Sequence, residues 1–233
     1  MKKQWYRTGV AVLGGTLLLG SLTACVPLVL GGGAVTTGMV ATDRRTSGMI
    51  VEDERIEQKA AAKIREILPE GSRASVTSFN RTAMITGEVR TAAQKEALER
   101  AVASVENVRR VVNEVQVVPF VSSLSQRSKD AFITSKVKAS FLDAKDLQAN
   151  TIKVVTEQNV VYLMGIVTPR ESKRAAEIAR GVNGVSKVVR VFETISEDDL
   201  ANYKAREEAL EKQGTAAPAV QAAEPVVEIT PVK

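Results

Sequence analysis

The side chains that usually carry chemistry are scarce in this sequence. Its 233 residues include no histidine and one cysteine, Cys25. Without histidine, the group that most often moves protons near neutral pH is missing. Neither a Ser/His/Asp nor a Cys/His set can be assembled. Metal binding lacks imidazole and paired thiolate ligands, so neither a metal nor a cofactor is expected. Asp143 and Asp146 stand three apart, but at the end of an expected helix, where solvation is the ordinary role of such acids. These features argue against an enzyme. Two groupings remain. Cys25 closes the run Leu22-Thr23-Ala24-Cys25, and its thiol can carry a lipid through a thioether. Phe132 lies among Lys129 and Lys136, which can set an apolar ring and cationic heads against a phosphate-bearing surface.

The context of Cys25 is that of a processed leader. Lys2, Lys3 and Arg7 form a basic start, Gly9 to Leu19 an apolar run, and Ser21, Thr23 and Ala24 a small-residue end. That is the layout of a secretory signal peptide, and the run is shorter than the ~20 residues a membrane-spanning helix needs. Leu-x-Ala-Cys resembles the bacterial lipobox, which implies cleavage before Cys25, a diacylglyceryl thioether and an N-acyl chain. Two chains suffice for stable anchoring. The alternative is a buried free cysteine in an uncleaved anchor. Val26 follows the cysteine where an aspartate would signal inner-membrane retention, so the expected destination is the outer membrane. Residues 1–24 are therefore read as leader and 25–52 as a lipidated tether, rich in glycine and threonine up to Ser47 and without helical or strand period.

The folded part is a duplication. Ile85-Thr86-Gly87-Glu88-Val89 recurs as Leu163-Met164-Gly165-Ile166-Val167, and Val105-Glu106-Asn107-Val108 recurs as Val182-Asn183-Gly184-Val185. Each copy reads helix, strand, strand, helix, strand. The first helices carry the stripes Ile56, Ala60, Ile64, Ile67-Leu68 and Ile133, Val137, Phe141. Tight turns are expected at Asn80-Arg81 and Glu157-Gln158-Asn159. Thr91 with Gln94, and Thr168 with Glu171, have the spacing of capping boxes that start the second helices, and Pro169 suits the first helical position. The second helix of the first copy is expected to bury Ala97, Leu98, Ala101 and Val105. The fold class is α+β: two tandem αββαβ sandwiches, each a mixed three-stranded sheet with two helices on one face. Copies of about 65 residues are marginal alone, so the two should touch or each should gain stability from a partner.

The repeated αββαβ unit with a central glycine resembles the BON domain, most clearly in Lys136-Val137-Lys138, Val160-Val161-Tyr162-Leu163-Met164-Gly165 and Val182-Asn183-Gly184-Val185. Gly87 and Gly165 match the family's characteristic glycines, and a structural role is expected for both, at a bulge or a close approach to a helix. The boundaries are 53–118 for the first domain, 119–128 for a linker and 129–195 for the second. Residues 196–233 form an acidic tail, helix-prone with Ser196 and Asp199 as a cap, then disordered from Gly214.

Charge separates the copies. Removing Lys2, Lys3 and Arg7 from 32 basic against 27 acidic residues leaves a net +2, too little for a nucleic-acid footprint. The first copy is net +1 and the second +4, so the second attracts anions. Phe132 lies about 100° round its helix from the core stripe. Its alternative fate is packing against the linker or the first copy. Two BON domains behind a lipobox resemble a family of outer-membrane lipoproteins facing the periplasm. That resemblance implies anionic phospholipid binding through the second domain and a part in envelope integrity, with division sites a candidate location. An aromatic in this helix belongs to that surface, a tryptophan in the best-known form, and phenylalanine loses the indole donor. The other reading is a protein adaptor for an envelope-assembly or cell-wall machine.

Overall fold

The apolar stripes and turn signals become elements in a computed structural model that describes residues 43–211 and 225–231. The first repeat runs α1 (Ser47–Ile67), β1 (Arg73–Phe79), β2 (Thr82–Val89), α2 (Ala92–Ala103), β3 (Arg110–Asn113) and β4 (Gln116–Val117). The second runs α3 (Leu124–Asp143), a 3-10 turn (Ala149–Thr151), β5 (Ile152–Glu157), β6 (Val160–Val167), α4 (Pro169–Gly181) and β7 (Lys187–Thr194). The tail adds α5 (Glu197–Glu211) and β8 (Pro225–Pro231). The leader, Cys25 and the tether up to residue 42 lie outside the described residues.

In each repeat the first two strands pair antiparallel and the strand after the second helix returns parallel to the middle one. The hairpin turns have positive φ at Asn80 and Arg81, and at Gln158 and Asn159, as two-residue turns matched to strand twist require. Non-glycine residues adopt this conformation at a cost, and a buried aspartate holds each turn. Asp53 of α1 accepts from the amides of Asn80 (2.7 Å) and Arg81 (2.8 Å). Asp130 of α3 accepts from those of Gln158 (3.0 Å) and Asn159 (2.9 Å). The duplication thus extends to a helix-to-turn tie that the sequence reading did not pick out.

Both capping boxes form, with Pro169 at the start of α4. The helix-facing cores contain Ile56, Ala60, Ile64, Leu98 and Val102 in the first repeat, and Ile133, Val137, Phe141, Ala175 and Ala179 in the second. Ala97 and Ala101 are only half-buried, Val102 is buried in their stead, and Ile67 is exposed at the last position of α1. Gly87 and Gly165 have no room for a Cβ. It would meet the Arg73 carbonyl oxygen at 2.2 Å and the Thr151 carbonyl oxygen at 2.5 Å. The close approach is to the start of the neighbouring strand, at Arg73 of β1 and at Thr151 just before β5, where a bulge or a close approach to a helix was expected.

The opposite sheet faces meet. Phe79, Met84 and Val112 of the first repeat pack with Tyr162, Met164, Ile166, Val189 and Val191 of the second. Burial pushes the Tyr162 phenol pKa up, and the charge of Glu114 adds to that. Polar contacts rim the seam: Arg73 with Glu157, Arg109 with Glu193, and Lys153 with Glu57 (2.7 Å). Both repeats accordingly fall within one compact unit.

Four boundaries differ from expectation. Folded structure begins before residue 53: Thr46 caps α1 through the Met49 amide. Ahead of it Arg44 is 2% exposed and grips Glu171 with two 2.8 Å bonds while donating to the Ile166 carbonyl at 2.7 Å. Arg45 turns to the first repeat, bonding Asp53 at 2.7 Å and stacking 3.9 Å from the Phe79 ring centroid. The glycine-rich composition upstream hid this lead-in. Likewise α3 starts inside the expected linker, capped by Ser123. The last strand of the first repeat breaks into β3 and β4 around Glu114-Val115, where Val115 turns into the core. Finally, residues 225–231 are not disordered: β8 pairs with β7, giving the second sheet four strands.

Candidate membrane-contact site

The site is built on one helix with two unlike faces. Ile133, Val137 and Phe141 of α3 point into the second core, and so does Asp130. Burying Asp130 against the turn amides takes the acid of the helix's first half away from its outer face. What faces outward there is small, apolar or basic: Arg127, Ser128, Lys129, Phe132, Ser135, Lys138 and Ala139 are all exposed. Phe132 is 64% exposed, and Leu124 and Leu142 near the helix ends are 71% exposed.

Phe132 therefore does not pack against the linker or the first repeat. Its neighbour is Lys136, whose Nζ lies 4.8 Å from the ring centroid. The same ammonium donates to the Asn183 carbonyl at 2.6 Å, in the loop after α4. The second repeat thus fixes the lysine head over the ring, a cation–π contact of ~0.5–1 kcal/mol at an exposed site. Two of the ammonium's three donors remain for an anion. Lys129 stands one helical turn before Phe132 and makes no hydrogen bond or ion pair among the described residues. Ring and lysines lie on the outer side of α3.

Beside this face, α3 and α4 border an open groove lined by Lys136, Ala139, Ser140, Asp143, Ile178 and Asn183. Glu177 also lines it, so its two acids offset its one lysine. The basic character belongs to the outer face of α3. Asp143 stays exposed, and Asp146 pairs with Arg174 at 2.8 Å, so the two do not form an acid–base site. No group of three metal-ligating side chains occurs among the described residues.

The sequence relationships agree with the duplication. The BON domain matches residues 53–119 and 129–195, more than half of the chain and both repeats. The chain belongs to the BON-domain family. It is 38% identical over 185 residues to Outer membrane lipoprotein DolP of Haemophilus influenzae, covering 78% of this chain and 92% of that protein. It is 32% identical over 152 residues to the 21 kDa hemolysin of Actinobacillus pleuropneumoniae, covering 64% and 78%. Against the structure of CdsD, a structural protein of the type III secretion system of Chlamydia trachomatis, it scores a TM-score of 0.27 at 11% identity over 64% of this chain and 97% of that one. Two BON domains behind a lipobox make this a DolP-like, envelope-associated lipoprotein. None of its described helices is long and apolar enough to cross a membrane.

Within this BON pair the features missed in the sequence are Asp53, Asp130 and Arg44. A signal for the aspartates existed: both stand three residues before the first stripe isoleucine, Ile56 and Ile133, and 27 or 28 before the hairpin turn.

Proposed function

We propose that the protein is a non-enzymatic lipoprotein held on the outer membrane through Cys25, whose second BON domain binds anionic phospholipid. The carrying observation is the exposed Phe132 ring with the Lys136 ammonium fixed beside it and Lys129 one turn away. The ring enters the headgroup boundary and the ammonium groups meet lipid phosphates. The name of the Haemophilus relative supports the location. Through this contact the protein serves envelope integrity, and division sites, where membrane is remodelled, are one place for that work.

The two attachments act together. A weak interfacial site is rarely filled by a free protein but is favoured once a lipid anchor holds it at the surface. The test uses unlipidated protein starting at Val26 and vesicles containing phosphatidylglycerol. Phe132→Ala with Lys136→Glu should weaken binding at least tenfold, and wild-type binding should fall as salt rises. Unchanged binding overturns the assignment. An adaptor role instead predicts a stoichiometric protein partner whose capture ignores the Phe132 change. Phe120, 83% exposed in the linker, is the apolar residue best placed for such a contact.

A further inference from the structure

The two sheets treat their last edges differently. In the first domain the parallel strand is short and broken between β3 and β4, and Asn113 turns aside to donate to the Lys95 carbonyl at 3.0 Å. Breaking a strand is one way to stop another chain from adding to it. In the second domain β7 is eight residues long and pairs with β6 along its whole length. Its sequence, Lys-Val-Val-Arg-Val-Phe-Glu-Thr, is that of a strong strand former. An edge of this kind is a template for strand addition, and β8 lies on it, antiparallel, from Lys187 opposite Pro231 to Glu193 opposite Pro225.

The register sets which residues pair across this edge. Val227 and Ile229 pair with Val191 and Val189, two β7 residues whose side chains lie on the face that meets the first domain. Val226 and Thr230 pair with Phe192 and Val188, two β7 residues whose side chains lie on the helix-facing side. Glu228 stands opposite Arg190. Prolines bracket the segment and end the sheet, since proline cannot donate to a further strand. Thirteen residues, 212–224, join α5 to β8. They reach up to about 40 Å, enough for the chain to serve its own edge at the high effective concentration of a short connection.

We propose that the outer edge of β7 is a strand-addition site for an extended, β-branched peptide of another envelope protein, with the segment Pro225–Pro231 as its resident, displaceable ligand. Backbone hydrogen bonds supply affinity. Alternating apolar residues and an acid opposite Arg190 supply selectivity. The tail then sets a threshold that a partner peptide has to exceed.

The test uses the full chain and a fluorescent peptide of residues 223–233. Val226→Pro with Val227→Pro removes a ladder donor whichever of the two adjacent amides faces β7. The peptide should bind this variant at least tenfold more tightly than it binds wild type, and a peptide carrying the same two prolines should bind neither. Equal binding to both proteins, or to neither, overturns the proposal. Hydrogen exchange on wild type is independent of how the variant folds. The β7 amides facing outward should be protected, and exchange at loop rates would overturn occupancy by the tail. Tail-dependent dimers of wild type would overturn residence within one chain and give the edge to a second copy.

Discussion

Phe132 and Asp130 are two residues apart on α3 and point opposite ways. Asp130 serves the fold by accepting hydrogen bonds from two turn amides, and in doing so it leaves the outer face to lysines. Asp130→Ala strands those amides in a buried setting. It should cost about 2–4 kcal/mol, since bonds to a charged acceptor contribute ~1.5–3 kcal/mol each and do not add fully. Denaturant midpoints would measure it, and a loss under about 0.5 kcal/mol would contradict the tie. Gly165 makes a different prediction. A Cβ there overlaps the Thr151 carbonyl oxygen at 2.5 Å, so Gly165→Ala should force backbone movement and cost ~1–3 kcal/mol, read from the same midpoints. The position of Phe132 off the core stripe was legible in the sequence because it rests on local spacing. The inward turn of Asp130 left only its repeat with Asp53 as a signal, because its partners lie 28 and 29 residues away.

At the scale of elements, α4 is tied at its start to the lead-in segment. Glu171 closes the capping box through the Thr168 amide at 2.9 Å and also takes both bonds from Arg44. Burial pushes the Glu171 carboxyl pKa up, but Arg44, the Thr168 amide and Arg170 outweigh burial and hold it below the ordinary carboxylate value. A lowered folded-state pKa means stability that is fully present above the unfolded value of ~4.3 and lost as pH falls through the folded one. Glu171→Gln keeps a residue able to complete the box but leaves Arg44 buried without its counter-charge. At pH 7 it should cost ~3–5 kcal/mol, and the gap from wild type should narrow as pH drops below about 4. A gap independent of pH in urea melts would contradict the role given to the pair. The element order, both capping boxes and β6 were readable from period and cap chemistry. The start of α1 and the strand β8 were not: one is hidden behind glycine-rich sequence, and the other has meaning only beside β7.

The whole molecule is two BON domains joined sheet to sheet. Each sheet spends one face on its own helices and the other on its partner, which is how copies of marginal size find enough core. The sequence left open contact between the copies or a separate partner for each, since the residues concerned, Met84, Tyr162, Met164, Ile166, Val189 and Val191, read equally well as ordinary buried strand positions. The shared core predicts one cooperative unfolding transition for both domains. Met164→Ala should lower it as a unit by ~2–5 kcal/mol. Two separated calorimetric transitions in wild type would contradict it. A fixed pair also gives α3 a fixed orientation on the body, with Arg44 and Arg45 anchoring the segment that leads from Cys25 into both domains. The most direct test of the account is flotation of unlipidated protein with phosphatidylglycerol vesicles across a salt series. Wild type should float at low salt and release as salt rises, and Phe132→Ala with Lys136→Glu should stay behind. Flotation of the variant equal to wild type would contradict the account.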